Sequence, residues 1–203
     1  MDTAQRGMGL DWPTSLELIR RTLDAAKDVP GSQVASGCGT DQLVLEDVTT
    51  VDQVIAAYEE QLEAIEKLGG KLIIMASRAL ARVATSPADY ERVYDRILSQ
   101  VKQPVVLHWL GDMFDPALAG YWGSHDVATA SDFVLRLIAE NPAKVDGIKI
   151  SLLNQAHEEA FRARLPKGVR LYTGDDFNYA DLIAGDGAHY SHALLGIFAA
   201  IAP

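Results

Sequence analysis

Lys149 is the residue whose setting most suggests chemistry, because it stands in the apolar run Gly147-Ile148-Lys149-Ile150. If this run is a strand, alternation sends Ile148 and Ile150 to one face and Lys149 to the other. Apolar surroundings disfavour an ammonium ion and lower the pKa of the amine, and a neutral lysine can attack a carbonyl carbon to form an imine. The ammonium could equally reach solvent or pair with a carboxylate, and the spacing alone leaves both interpretations open.

His108 is a second candidate, near the end of an apolar run at 104–109, and Asp112 follows four residues later. An imidazole titrates near neutral pH, so His108 could act as a general base or acid there. A histidine that is simply hydrogen-bonded inside the core is the alternative. If His108 does act in catalysis, the predicted catalytic residues are Lys149, His108 and Asp112.

Further along the chain, two acidic residues and two histidines raise the question of a metal site. Asp175 and Asp176 follow an apolar run, and His189 and His192 come later. Together with His108 they allow a metal-dependent hydrolase or isomerase, because imidazole and carboxylate ligands suit zinc or manganese. However, residues i and i+3 of a strand point to opposite faces, and an Asp after a strand commonly caps the next helix. We expect no metal and no cofactor.

Length and charge limit the class of protein. The 203 residues are enough for one domain-sized core, and 18 Lys and Arg against 28 Asp and Glu give a net charge of −10, which disfavours nucleic acid and anionic membranes as partners. The longest apolar stretch, 193–203, is shorter than the roughly 20 residues of a membrane span, and the first residues show no export signal. The single cysteine, Cys38, excludes an intrachain disulfide. We expect a cytoplasmic protein.

Short apolar runs alternate with amphipathic segments along the whole chain, which is typical of β/α proteins. The clearest helix begins at a capping box formed by Thr50 and Gln53 and ends at Gly69-Gly70. Six strands are predicted, each preceded by a helix. The predicted strands are 33–36, 71–76, 104–109, 146–151, 169–173 and 188–194, and the predicted helices are 13–27, 50–68, 86–98, 131–140, 154–165 and 179–184.

Parallel β/α units either close into a barrel or form an open, doubly wound sheet. The chain has neither a GxGxxG turn after a strand nor a GxxxxGK[ST] loop, which weakens the open sheet as an interpretation. A (β/α)8 TIM barrel is favoured, although eight units usually take about 250 residues. We therefore expect one incomplete barrel domain over residues 1–203, with about six units and without the first strands and the last helix. An open parallel α/β sheet is the alternative.

Several short motifs follow one another along the chain, and their order and separation are informative. They are Gly37-Cys38-Gly39-Thr40, Pro104-Val105-Val106-Leu107, Val145-Asp146-Gly147-Ile148-Lys149, Leu171-Tyr172-Thr173-Gly174-Asp175-Asp176, Ser191 and Ala202-Pro203. Their order and separation resemble the dihydrodipicolinate synthase and N-acetylneuraminate lyase superfamily, which are pyruvate-dependent class I aldolases on a (β/α)8 barrel. The resemblance implies that Lys149 is the Schiff-base lysine and that Gly174, Asp175 and Asp176 form a loop at the catalytic rim. It also implies substrate-binding roles for Gly37, Gly39, Thr40 and Ser191.

The sequence also departs from that family. His108 stands where the family has a proton-relay tyrosine at the end of the fifth strand, and the turn that follows, 109–113, contains no arginine. Ser77 and Arg78 lie where another tyrosine is expected. The Gly-Thr-Thr-Gly-Glu turn that holds the keto-acid carboxylate in the family lies outside this chain. The pattern suits a divergent branch of the superfamily, and the chain resembles an internal portion of a longer member.

These observations predict a lyase or aldolase that forms a Schiff base between Lys149 and an oxo-acid or aldehyde substrate. His108 or another group at the rim moves the proton during carbon–carbon cleavage or condensation. A metal-dependent hydrolase or isomerase on the same barrel and a catalytically inactive fragment are the alternatives. An incomplete barrel exposes strand edges, which pair with another copy or aggregate. We therefore expect a homo-oligomer or a poorly soluble chain.

Overall fold

Six parallel strands form one sheet, and their order in the sheet is their order in the chain. The computed structural model describes residues 9–194, so the Ala202-Pro203 pair of the resemblance lies outside the described residues. The strands are β1 (Ala35–Cys38), β2 (Lys71–Ile74), β3 (Val105–Leu110), β4 (Val145–Ser151), β5 (Arg170–Thr173) and β6 (His192–Ala193). A doubly wound sheet reverses its strand order at a switch point, whereas a barrel keeps sequential order. The prediction of an incomplete β/α barrel with six units is confirmed, and the open-sheet alternative is not.

Each strand is preceded by a helix, as the alternation predicted. The helices are α1 (Trp12–Ala26), α2 (Val51–Lys67), α3 (Arg78–Val83), α4 (Pro87–Gln100), α5 (Val127–Glu140), α6 (Gln155–Arg162) and α7 (Tyr179–Ala184). The capping box before α2 is confirmed, because Thr50 accepts from the N–H of Gln53 and the Gln53 side chain reaches back to the N–H of Thr50. Gly69 follows this helix at φ 82°, a left-handed conformation that favours glycine.

The sequence missed the short helix α3 and placed several boundaries wrongly. Strand β1 lies two residues later than predicted, so Gly37 and Cys38 belong to the strand and not to the turn after it. The last strand is shorter than predicted because the segment before it turns back on itself. There, the Asp186 carboxylate accepts from the N–H groups of Ala188 and His189 at 2.9 and 2.7 Å.

The core lies between the sheet and the helices that cover its outer face. At its centre is Trp122, whose side chain is fully buried and whose indole ring lies 4.5 Å from the ring of Tyr94 and 6.4 Å from that of Trp109. This packing holds Trp122 at φ 71°, which is unusual for a residue with a side chain. Among residues 9–194, none of the helices combines the length and the apolar character that a bilayer crossing needs.

Candidate active site

A row of side chains crosses three neighbouring strands in register. His108 of β3 pairs with Lys149 of β4, and Lys149 pairs with Tyr172 of β5. The next residue of β3, Trp109, points the other way, because its ring packs against Phe161 of α6 with 6.1 Å between the ring centres. Successive residues of a strand face opposite sides of the sheet. The row of His108, Lys149 and Tyr172 therefore lies on the inner face, away from the helices.

The start of the loop after β5 leaves space for the Lys149 side chain. Gly174 is fixed there by its N–H, which donates to the carbonyl of Ile150 at 2.8 Å. A Cβ atom on residue 174 would lie 2.6 Å from Cε of Lys149 and 2.1 Å from Oγ of Ser151, which is far closer than non-bonded atoms approach. Glycine at position 174 is thus required for Lys149 and Ser151 to occupy their positions. This part of the predicted rim does lie beside the predicted lysine.

His108 is held between two other strands. It is 6% exposed, its Nδ1 lies 3.4 Å from Sδ of Met75, and its Nε2 lies 3.1 Å from Oγ of Ser151. Met75 follows β2 and Ser151 ends β4, so the imidazole joins three strands. Sequence reasoning overlooked both partners. Ser151 could have been found, because it follows Lys149 by two residues on the same face, whereas Met75 depends on how β2 pairs with β3.

Two of the predicted acidic residues lie in exposed positions. Asp112 belongs to the loop that leaves β3 at Gly111, whose N–H donates to the carbonyl of Ser151 at 2.9 Å. Asp176 belongs to the loop after β5 and is also exposed. Neither is part of the buried group formed by His108, Met75 and Ser151, and their proposed roles in catalysis and substrate binding stay predictions.

The predicted glycine-rich turn is divided between a strand and a loop. Gly37 lies within β1, and the N–H of Gly39 donates to Oε1 of Gln61 at 2.8 Å. The Thr40 hydroxyl lies 2.6 Å from that of Ser77, the residue that caps α3 after β2. The loops after β1 and β2 therefore place two buried hydroxyl groups together at the carboxyl edge of the sheet.

A guanidinium lies at the same edge. Nη2 of Arg78 donates to Oδ1 of Asp41 at 3.0 Å, and Nε of Arg78 lies 3.8 Å from Oδ2 of Asp115. Asp41 and Asp115 come from the loops after β1 and β3, Arg78 is the first residue of α3, and 30% of the Arg78 side chain remains exposed. Arginine is well suited to bind a carboxylate, and the Arg78 side chain is partly accessible for this.

Asp175 accepts hydrogen bonds from the turn before the next helix, which is the structural role that the sequence analysis gave as the alternative to metal binding. Its carboxylate accepts from the N–H groups of Phe177 and Asn178 at 2.9 and 2.8 Å and from the Asn178 side-chain amide at 2.8 Å. These bonds organise the turn that leads into α7. The side chain is 1% exposed, so Asp175 orders the rim loop beside Gly174.

Ser191 belongs to a buried polar group on the outer side of β5. Its hydroxyl donates to Oε1 of Glu158 at 2.8 Å, and Nη1 of Arg162 donates to the same hydroxyl at 3.1 Å. The other carboxylate oxygen of Glu158 accepts from the Thr173 hydroxyl at 3.0 Å. Burial raises the pKa of Glu158 to about 7, with the Asp175 charge adding to the rise and the two hydroxyl bonds and Arg162 opposing it. This group links α6 to β5 and to the segment before β6.

The two late histidines, His189 and His192, lie in different environments. His189 is exposed, with Nδ1 at 3.6 Å from Oδ2 of Asp186, whereas the His192 ring lies 5.5 Å from the Tyr172 ring. Tyr172 in turn donates to Asp146 at 2.6 Å, and burial together with this bond raises the pKa of the phenol. Within residues 9–194, no three His, Cys, Asp or Glu side chains are arranged to hold a metal ion.

The fold is an incomplete β/α barrel, and solved structures of similar architecture are enzymes. Dihydrodipicolinate synthase from Acinetobacter baumannii, solved with pyruvate, has a TM-score of 0.67 at 18% identity, over 99% of this chain and 58% of that chain. The Bacillus anthracis enzyme DapA-2 has a TM-score of 0.66 at 14% identity, over 95% and 55% of the two chains. The 2-keto 3-deoxygluconate aldolase from Picrophilus torridus has a TM-score of 0.56 at 14% identity, over 89% and 55%. The resemblance to the dihydrodipicolinate synthase superfamily is thus confirmed in fold.

The sequence places the chain in a family. The chain belongs to the family described as "Protein of unknown function (DUF993)", whose profile matches residues 1–203. A search of curated proteins finds no match to it. The chain spans little more than half the length of the solved structures to which it is similar.

Proposed function

We propose that this protein is an aldolase-type lyase in which the amine of Lys149 forms an imine with the carbonyl carbon of an oxo acid. The observation that carries the proposal is the position of Lys149. It lies on the inner face of the sheet, in register with His108, and a glycine at 174 leaves room for its side chain. A lysine at the carboxyl end of a barrel strand is where enzymes of this architecture place their reactive groups.

The substrate class is inferred from the loops at the same edge. Arg78 offers a partly exposed side chain, and the hydroxyls of Thr40 and Ser77 lie close together, so the edge carries donors for a carboxylate and for oxygen atoms. The solved structures support this choice, because one is a synthase complexed with pyruvate and another is an aldolase of a keto sugar acid. Pyruvate is therefore the first substrate to test.

The proposed reaction begins when the neutral Lys149 amine adds to the carbonyl carbon, and loss of water leaves a protonated imine. The imine then withdraws electrons from the neighbouring carbon, so that a proton can leave it or a bond to another carbon can break or form. A base is needed for the proton. His108 stands beside Lys149 on the next strand, which supports its role as that base.

The experiment is reductive trapping. Pyruvate and borohydride are added to the purified chain, and intact mass spectrometry measures the gain of one reduced pyruvyl group. We expect a single addition in the wild type and in Lys167→Ala, which removes an exposed lysine, and none in Lys149→Ala. Equal labelling of Lys149→Ala, or no labelling of the wild type, would overturn the proposal.

A further inference from the structure

The contacts of the His108 ring determine which nitrogen carries its proton. Met75 Sδ lies 3.4 Å from Nδ1, in hydrogen-bonding geometry, and a thioether sulfur can only accept. This contact favours the tautomer of a neutral His108 ring in which the hydrogen is on Nδ1. The second nitrogen, Nε2, then presents a lone pair, and the group that faces it at 3.1 Å is the Ser151 hydroxyl.

In that tautomer, Ser151 donates its hydroxyl hydrogen to Nε2 of His108. The three side chains are almost completely buried, with exposed fractions of 6% for Met75, 6% for His108 and 3% for Ser151. Burial shields the arrangement from competing water and fixes the orientation of the ring. Other enzymes activate a hydroxyl in this way: the hydroxyl donates to one nitrogen of a histidine, and a third group holds the other nitrogen.

The Ser151 hydroxyl also faces the proposed reacting lysine. Oγ of Ser151 and Cε of Lys149 both lie within 2.6 Å of the point that a Cβ of residue 174 would occupy. The two side chains thus border the same small space, and they leave β4 on the same face because they are two residues apart. Ser151 therefore lies close to the Lys149 side chain and also contacts His108.

We propose that Ser151 is the proton-transfer residue of this site and that Met75 is a positioning residue that sets the His108 tautomer. This inference rests on the proposed function. In the step, the C–H bond next to the imine breaks, and its proton goes to Oγ of Ser151 while the Ser151 hydroxyl proton goes to Nε2 of His108. The electron pair of the C–H bond forms the carbon–carbon double bond of an enamine, and the pair of the C=N bond moves onto nitrogen. The positive charge passes from the imine to the imidazolium.

The first test reads the tautomer and needs no substrate. Long-range proton–nitrogen NMR spectra of ¹⁵N-histidine-labelled protein, with His108→Gln to assign the signals, should show the proton of His108 on Nδ1. Met75→Leu should lose this preference, and Met113→Leu, which changes an exposed methionine, should keep it. A proton on Nε2 in the wild type would overturn the inference.

The second test separates proton transfer from imine formation. Exchange of the pyruvate methyl protons in D₂O is followed by NMR, and reductive trapping is measured on the same samples. Ser151→Ala should trap pyruvate like the wild type but exchange protons about 10²-fold more slowly, and Ser151→Thr, which keeps a hydroxyl, should recover part of the rate. If Ser151→Ala traps pyruvate and exchanges protons at the wild-type rate, the proposed role of Ser151 is refuted and the proposed function is not. No trapping in the wild type would refute the proposed function and this inference together.

Discussion

Gly174→Ala is the substitution that most directly disturbs the position of Lys149 without removing it. The added Cβ would stand 2.6 Å from Cε of Lys149, where carbon atoms normally keep about 3.5–4.0 Å, so one of the two must move by about 1 Å. The backbone at 174 is held by its hydrogen bond to Ile150, and the Lys149 side chain is flexible. The displacement therefore falls on the side chains of Lys149 and Ser151, whose Oγ would lie 2.1 Å from the added Cβ.

From this geometry we expect Gly174→Ala to fold with a stability loss of about 1–3 kcal/mol, the usual cost of overpacking. The rate of pyruvate trapping should fall about 10²-fold, because a displacement of about 1 Å is enough to cost that much in a positioned reaction. Urea unfolding measures the stability, and the time course of mass gain under borohydride measures the rate.

Gly168→Ala is the matched control. Gly168 has φ 92° and no atom within 4 Å of an added Cβ, so alanine there introduces backbone strain of about 1 kcal/mol or more without touching the site. It should trap pyruvate at the wild-type rate. Equal trapping rates in Gly174→Ala and Gly168→Ala would refute the claim that the space at 174 positions Lys149.

Three further predictions concern stability and assembly. Burial raises the folded-state pKa of Glu158 from 4.5 to about 7, so the wild type loses stability as pH rises and this carboxyl group ionises. In urea unfolding, the free energy of unfolding of Glu158→Gln should therefore rise by about 2.5 kcal/mol relative to that of the wild type between pH 5 and pH 8. A difference that stays constant with pH would contradict this. Thr50→Ala should lose about 1 kcal/mol in the same assay because it removes the cap of α2, and an unchanged midpoint would count against the cap. The 203-residue chain should sediment as a dimer or larger species, because β1 and β6 are edge strands of the described sheet; a compact monomer would be the opposite result.

The elements that the sequence predicted are those with strong local signals. The helix after Thr50 has its capping box, its apolar stripe and a terminal glycine, and all three are local. The segment between β3 and α5 has no such signal. Its conformation depends on Trp122, which adopts φ 71° because its ring fills the space beside Tyr94, and this packing comes from residues distant in the chain.

The candidate site also contains some residues that local sequence signals predict and others that depend on contacts between distant parts of the chain. Alternation along β4 was enough to put Lys149 on a different face from Ile148, and it would have found Ser151 as well. The approach of Met75 to His108 and of Gly174 to Lys149 depends on strand register, which short apolar runs do not specify. Glu158 was overlooked because an acidic residue on an amphipathic helix is normally solvent-exposed.

The most direct measurement is a crystal structure of the protein after reduction with borohydride in the presence of pyruvate. We expect continuous electron density from Nζ of Lys149 to the second carbon of the pyruvyl group, with the methyl carbon facing Oγ of Ser151. Pyruvate bound without a covalent bond, or joined to a different lysine, would contradict it.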